Sequence, residues 1–316
     1  MSHPAISATG LRKSYGDKVV LDGIDLHVPT GTVFSLLGPN GAGKTTTVNI
    51  LSTLITADGG AATVAGADLA TDPDGIRSAI GLTGQFSAVD NLLTGEENLF
   101  LMADLHHLPR RAGRRRAAEL LDRFELTEVA KKKPATFSGG MRRKLDLAMT
   151  LIGDPKVIFL DEPTTGLDPR SRRTMWQIIR DLVANGVTIF LTTQYLDEAD
   201  QLADRIAVLD GGRIVAQGTP DELKHRAPGG HMQLRFPDSS ALRLASRVLQ
   251  VSTSDEEGLA LRVPTDGTVT ALRAVLDRLE AEAVAVDSLT VHTPDLDDVF
   301  LSLTGHRTEA TKEMAR

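Results

Sequence analysis

The chain has 316 residues, of which 41% are hydrophobic and 24% charged, a balance that is ordinary for a globular protein of about two domains. A formal net charge of −7 argues against a general nucleic-acid binder, and the absence of cysteine excludes disulfides and thiolate metal sites. No apolar stretch approaches the ~20 residues that span a bilayer, and the N-terminal MSHPAISATG lacks the pattern of a secretion signal. We therefore expect any membrane role to depend on a partner.

The first motif along the chain is a glycine-rich loop, GPNGAGKTT, at residues 38–46. It follows the apolar run Val33–Leu37 and opens a helical pattern, which is the context that a phosphate-binding loop requires. Lys44 supplies a charge for β- and γ-phosphates, and Thr45 supplies a hydroxyl for magnesium. A structural turn is the alternative interpretation, but it gives no reason for the Lys-Thr pair. The predicted nucleotide-binding residues of the loop are Gly38, Pro39, Asn40, Gly41, Ala42, Gly43, Lys44, Thr45 and Thr46.

A helical region follows the loop. Between residues 85 and 137 the apolar pattern favours helices, including 95–105 and 114–124, without a strong strand. This predicts a helical subdomain at about 86–153 within an α/β core. Its FSGGM motif places Ser138, Gly139 and Gly140 at a helix start, whose positive end favours an anion. A helix cap without a ligand is the alternative for this motif alone.

The run VIFLDEP at residues 157–163 predicts a buried strand that ends in two acids. Because parallel sheets bind ligands beyond the carboxyl ends of their strands, we expect both acids at the phosphate site. Asp161 is predicted to hold magnesium and Glu162 to act as the general base that polarises the attacking water. A solvated acidic turn is the alternative. Further apolar runs at 187–192 and 206–209 predict more strands of a largely parallel sheet.

The last quarter of the chain has a different pattern. A turn-rich segment at 227–230 predicts a linker, and apolar residues then recur at strand spacing and at helical spacing. We predict an ATPase domain at 1–226, a small α+β domain at 231–305 and a frayed tail at 306–316. The final predicted helix, 296–304, carries apolar residues that are compatible with either an exposed contact face or core packing. They are Leu296, Val299, Phe300 and Leu303.

The motifs together resemble the nucleotide-binding subunit of an ABC transporter, over essentially all of residues 5–226. FSGGM stands in the place of the family signature LSGGQ, residues 166–169 match the D-loop, and Gln85 matches the Q-loop. The resemblance implies a P-loop ATPase core that hydrolyses ATP with Mg²⁺. It also implies a head-to-tail homodimer, in which the signature of one subunit caps the nucleotide of the other. The residues that it adds are Tyr15 against adenine, Asp168 at the nucleotide and Gln85 at magnesium.

Two positions depart from the family pattern. Gln194 occupies the place of the switch histidine, and Met141 replaces the signature glutamine. Glutamine can donate a hydrogen bond to a phosphate oxygen, but it cannot carry a proton or a charge. We expect Gln194 to leave binding intact, with modest turnover that depends little on pH near neutrality. The effect of Met141 is expected to be small.

The segments TTQYLDEADQLADRI at 192–206 and TPDLDDVFLSLTG at 293–305 resemble the daunorubicin-resistance type of ATP-binding subunit. That resemblance implies export of drugs or other amphipathic compounds with a separate integral-membrane permease, at the cytoplasmic face of the cell membrane. The surface of residues 86–136 is the predicted permease contact. No nucleic-acid partner and no metal other than Mg²⁺ is expected.

The residues leave two other functions open. One is a soluble ABC-type ATPase that acts on ribosomes or nucleic acid, although such proteins usually carry two cassettes or a long coiled-coil insertion. The other is a module that senses ATP without hydrolysing it, and the pair Asp161 and Glu162 argues against it.

Overall fold

The computed structural model describes residues 4–84, 88–225, 230–251, 254–255, 258–265, 268–292 and 294–304. The chain divides into two compact units, Met1–Pro220 and Asp221–Arg316. Gln85, most of the predicted linker and the predicted tail lie outside the described residues. Within the described ranges, no helix combines the length and hydrophobicity needed to cross a membrane.

The first unit alternates strands and helices. Its strands are β1 (Ile6–Tyr15), β2 (Lys18–Val28), β3 (Val33–Leu37), β4 (Gly59–Val64), β5 (Ala67–Asp68), β6 (Ile80–Thr83), β7 (Val157–Asp161), β8 (Thr188–Thr193), β9 (Arg205–Asp210) and β10 (Arg213–Gly218). Its helices are α1 (Lys44–Leu51), α2 (Pro73–Ala79), α3 (Gly95–Leu105), α4 (Arg110–Arg123), α5 (Gly139–Thr150), α6 (Pro169–Ala184) and α7 (Leu196–Leu202), and α8 (Pro220–Lys224) crosses the division between the units.

A six-stranded sheet forms the centre of the first unit, in the order β10-β9-β3-β8-β7-β6. The pairs β9 with β3, β3 with β8, β8 with β7 and β7 with β6 are parallel, and β10 is antiparallel to β9. The carboxyl ends of the five parallel strands therefore lie at one edge. That edge carries the phosphate loop after β3 and the acid pair after β7.

Both faces of this sheet are buried. Side chains of a strand alternate between the two faces, so Ile158 and Leu160 join the core of the helical region, whereas Val157 and Phe159 join the opposite core. Because both faces need apolar residues, β3, β7 and β8 each carry an apolar run, such as Ile189–Leu191 in β8, which is why the sequence predicts them. The structure places β8 one residue later than the predicted strand at 187–192.

A second sheet, with the order β2-β1-β4-β5, is antiparallel and was not predicted. Strand β1 buries Ile6, Ala8 and Leu11 in one core, while polar residues such as Lys13 and Ser14 fall on less buried positions. A strand with one buried face lacks a continuous apolar run, so it escapes a search for such runs.

In the described part of the segment between β6 and β7, the regular elements are helices and short 3-10 turns, joined by loops. Helix α3 has the predicted bounds and begins with a capping box, in which Thr94 and Glu97 bond each other's backbone N–H groups. Helix α4 begins at Arg110, four residues before the predicted start. The prediction began late because the first turn of the helix is rich in arginine and carries little apolar periodicity. Short 3-10 turns at Thr127–Val129 and Pro134–Thr136 lead to α5.

The second unit contains β11 (His231–Arg235), α9 (Ser239–Leu249), β12 (Ser254–Asp255), β13 (Ala260–Pro264), α10 (Val269–Ala281), β14 (Ser288–His292) and α11 (Leu296–Thr304). Its antiparallel sheet has the order β12-β13-β11-β14, and a core forms around Met232, Leu234 and Leu261. Helix α11 has the predicted bounds, but three of the four apolar residues considered for an exposed face are buried. They are Leu296, Val299 and Phe300, whereas Leu303 is 40% exposed.

Candidate active site

Glycines shape the loop between β3 and α1. Gly43 caps α1 with φ 112°, and a Cβ added there would lie 2.7 Å from Leu21 Cδ2. A Cβ added to Gly38 would lie 2.2 Å from the carbonyl oxygen of Leu209. No other residue type fits either position without displacing the backbone or its neighbours. The tight turn from strand to helix therefore depends on these glycines.

Lys44 is the first residue of α1 and is buried. Its Nζ donates to the carbonyl oxygens of Gly38 at 2.8 Å and Pro39 at 3.1 Å, and it lies 3.7 Å from Glu162 Oε1. Burial lowers the pKa of Lys44 because it penalises the charged form, and the carboxylates of Glu162 and Asp161 oppose this effect. The ammonium group is thus fixed between the loop and the acid pair.

Asp161 ends β7 and is also buried. Its Oδ2 accepts a hydrogen bond from Thr45 Oγ1 at 3.0 Å, and its Oδ1 accepts one from Thr192 Oγ1. Magnesium prefers oxygen ligands such as carboxylates and hydroxyls. Thr45 and Asp161 place one of each side by side, so these residues fit a magnesium ion.

Glu162 has φ 50°, in the left-handed region that favours glycine. Its N–H donates to the carbonyl oxygen of Thr192 at 3.1 Å and to the Oγ1 atom of the same residue at 3.2 Å. Its Oε2 accepts from Thr165 Oγ1 at 3.3 Å. Strained backbone of this kind persists only where the surroundings enforce it, and it occurs mainly at functional sites.

Thr192 is a site residue that the sequence reasoning missed. It lies opposite Asp161 in the register of β7 and β8, is fully buried and contacts both acids. The available signal was a polar residue at the end of an apolar run, TIFLTT. Its relation to Asp161 depends on two strands being neighbours, which local sequence does not reveal.

The signature residues lie at the start of α5. Ser138 is its N-cap and accepts a hydrogen bond from the Met141 N–H at 3.2 Å, while Ser138 and Gly139 are exposed. Asp168 similarly caps α6 by accepting from the N–H groups of Arg170 and Ser171, both at 3.0 Å. Among the described residues, no hydrogen bond or ion pair connects residues 138–140 or Asp168 with the phosphate loop.

Comparisons with known proteins identify the family. Residues 21–165 match the ABC transporter family, and residues 218–304 match the C-terminal domain of ATP-binding protein DrrA1-3-like proteins. The chain is 51% identical to the daunorubicin resistance ATP-binding protein DrrA2 of Streptomyces coeruleorubidus, over 98% of this chain and 97% of that protein. The chain belongs to the daunorubicin-resistance family of ABC transporter ATP-binding proteins.

Two further comparisons agree with this family of ABC ATPases. The daunorubicin/doxorubicin resistance ATP-binding protein DrrA of Streptomyces peucetius is 46% identical, over 98% of this chain and 96% of that protein. A solved ATP-binding cassette, a dimer in a post-hydrolysis state with ADP and Pi, is 27% identical with a TM-score of 0.61. That match covers 68% of this chain and 98% of the solved one. The predicted fold class and ATPase activity are confirmed.

The structure of this ABC ATPase brings together the phosphate loop, Lys44, Thr45, Asp161 and Glu162. Tyr15 lies at the end of β1 with 52% of its surface exposed, and Lys13 Nζ lies 5.6 Å from its ring centre. Gln194 is half-buried in the bend between β8 and α7. Among the described residues, neither side chain contacts the acid pair. Gln85 lies outside the described residues, so its predicted role stays a prediction.

Proposed function

We propose that this chain is the ATP-hydrolysing subunit of an ABC exporter of drugs or other amphipathic compounds. In this proposal it acts as a homodimer with a separate membrane permease, at the cytoplasmic face of the cell membrane. The observation that carries the proposal is the cluster of Lys44, Thr45, Asp161 and Glu162 at the carboxyl edge of the parallel sheet. The names of the relatives, which refer to drug resistance, support the choice of cargo.

In the proposed reaction, the glycine loop and Lys44 hold the phosphates of ATP, and Tyr15 stacks on adenine. Thr45 and Asp161, together with Gln85, hold Mg²⁺, which neutralises the charge that develops on the phosphates when it is bound. Glu162 accepts a proton from the attacking water through its carboxylate. Gln194 donates a hydrogen bond toward the γ-phosphate.

A second copy of the chain completes each site in this proposal. Ser138 and Gly139 are exposed at the N-terminus of α5, where backbone N–H groups favour an anion. A two-fold dimer would bring these groups to the nucleotide of the other subunit, with Asp168 beside them. The dimeric state of the solved cassette supports this arrangement.

Contact with the permease is proposed on the surface of residues 86–136. Three large apolar side chains of this region are exposed, on α3 and just before it: Leu92 at 77%, Leu101 at 41% and Leu105 at 62%. Contiguous exposed apolar residues often mark a protein interface. ATP-driven closure of the dimer would shift this surface and transmit a mechanical step to the permease.

The substitution Glu162→Gln tests the hydrolytic role. It keeps the shape of the side chain but removes the base, so phosphate release should fall by ~10²- to 10⁴-fold while ATP stays bound. Light scattering should then detect a nucleotide-dependent dimer. The matched control is Glu280→Gln, an exposed glutamate in α10, which should hydrolyse ATP like the parent. Hydrolysis by Glu162→Gln within a few-fold of the parent would contradict the assignment.

A further inference from the structure

A buried arginine on α5 contacts three separate segments around the acid pair. Arg143 Nη1 donates to the carbonyl oxygen of Gly84 at 3.0 Å, and Nε donates to that of Pro163 at 3.1 Å. Nη2 donates to the carbonyl oxygen of Asp161 at 3.4 Å. The Arg143 side chain is only 12% exposed. One guanidinium group thus bonds the main chain just after β6 and on both sides of Glu162.

Its partner, Asp146, lies one turn further along α5 and is 3% exposed. Asp146 Oδ2 is 3.3 Å from Arg143 Nη1, and Oδ1 accepts a hydrogen bond from the N–H of Ala88 at 3.1 Å. Gly84 and Ala88 flank residues 85–87. The same ion pair therefore bonds the main chain immediately before and immediately after that three-residue segment.

The residue types suit this task. Arginine presents its donors in a rigid planar fork, so a single side chain can bond carbonyl groups in several directions, whereas lysine has one compact ammonium group. Residues three apart on a helix lie on the same face, which allows Asp146 to accept from the fork.

The charge is buried at a cost. Burial lowers the pKa of Arg143, and the carboxylates of Asp146, Asp161 and Glu198 oppose that effect. Buried ion pairs contribute little net stability, and their best-supported role is to fix one arrangement among several.

We propose that Arg143 and Asp146 are positioning residues that set the magnesium dependence of nucleotide binding. The inference rests on the proposed function, because it assumes that Asp161 faces the metal. The pair fixes the main chain of Asp161, Gly84 and Ala88 relative to one another. It also bonds all three to α5, the helix that begins at the signature, so the metal site and the signature helix share one anchor.

The test compares ATP affinity in EDTA with ATP affinity in Mg²⁺, using a fluorescent ATP analogue and the full chain. In Arg143→Gln, affinity in EDTA should stay within two-fold of the parent, because the phosphate loop is intact. The gain in affinity on adding Mg²⁺ should fall about tenfold, since several hydrogen bonds from a charged group are lost. Hydrogen exchange without nucleotide should also become faster at the Ala88 amide, which donates to Asp146.

Arg142→Gln is the matched control. Arg142 is the neighbouring arginine on α5, and its Nη2 donates to the Pro134 carbonyl oxygen at 3.0 Å, away from the acid pair. This variant should keep the parental gain on Mg²⁺ and the parental exchange at the Ala88 amide. Equal losses of the gain in the two variants would overturn the proposal.

Two milder variants decide the matter if Arg143→Gln does not fold. Arg143→Lys keeps the charge without the fork, and Asp146→Asn keeps the shape without the charge. In each variant the increase in ATP affinity on adding Mg²⁺ should be about threefold smaller than in the parent. A parental gain in both variants, or a loss of affinity that is equal in EDTA and in Mg²⁺, overturns the inference. The proposed function fails separately, if the parent itself neither binds nor hydrolyses ATP.

Discussion

Thr192 offers a sharp test of how the acid pair is held. Its hydroxyl donates to Asp161 Oδ1 and accepts from the Glu162 N–H at 3.2 Å, and the residue is fully buried. Thr192→Val keeps the branched shape and replaces the hydroxyl with a methyl group. The variant therefore removes the hydroxyl's bonds to the acids without truncating the side chain, while the main-chain bonds between β7 and β8 remain.

The expected size of the effect follows from the bonds that are lost. A hydrogen bond to a charged group contributes about 1.5–3 kcal/mol to stability. The lost bond from the Glu162 N–H adds little to the destabilisation, because that N–H still donates to the Thr192 carbonyl oxygen at 3.1 Å. The new buried methyl group returns about 0.8 kcal/mol. The free energy of unfolding should thus fall by about 1–2 kcal/mol. Because Asp161 loses one of its two side-chain partners, turnover at low Mg²⁺ should fall about tenfold, which corresponds to about 1.4 kcal/mol.

Thr188→Val is the control on the same strand. Thr188 is equally buried, but it lies at the opposite end of β8, where its Oγ1 accepts a bond from the neutral Gly31 N–H at 2.9 Å. That bond is worth about 1 kcal/mol, nearly offset by the methyl group, so stability should hardly change and turnover should match the parent. Urea unfolding and phosphate release against Mg²⁺ concentration measure both effects. If the two variants behave alike, Thr192 does not position the acids.

Two further predictions concern Gln194 and Glu198. Gln194→His should raise turnover and make it depend on pH near 6.5, the usual histidine pKa; an unchanged rate and pH profile would mean that this position does not touch the chemistry. In α7, Glu198 Oε1 accepts hydrogen bonds from Thr164 Oγ1 at 2.8 Å and from Trp176 Nε1 at 3.2 Å. Burial raises the pKa of Glu198 above the usual 4.5, and these hydrogen bonds oppose that shift. The folded state then binds the proton more tightly than the unfolded state, so this carboxyl lowers stability as pH rises from about 4.5 through the raised pKa. Glu198→Gln should remove that loss, and its unfolding free energy relative to the parent should increase with pH over that window; parallel pH profiles in urea unfolding would contradict this.

The sequence predicted those parts of the molecule whose signal is local. Strands β3 and β7 are buried on both faces, so they read as apolar runs, and the phosphate loop and acid pair follow them at fixed spacing. The sequence did not predict the antiparallel sheet of the first unit, helix α9 or strand β14. Strand β14, for example, is largely exposed and carries no strong apolar pattern.

The missed site residues depend on contacts between distant segments. Thr192 contacts Asp161 only because β7 and β8 are neighbours in register, and Arg143 contacts Gly84 across 59 positions of the chain. Such pairings are set by tertiary packing. The sequence identifies the residues that carry the chemistry more readily than those that hold them.

The backbone of Glu162 illustrates a conflict between folding and chemistry. A left-handed conformation at a residue with a long side chain costs about 1–3 kcal/mol, and glycine would adopt it without that cost. Loss of the acid would relieve that cost but would leave the buried Lys44 ammonium without the carboxylate 3.7 Å away, so heat resistance is no measure of whether the acid is present. Screens for more robust forms of this protein therefore need a simultaneous selection for turnover.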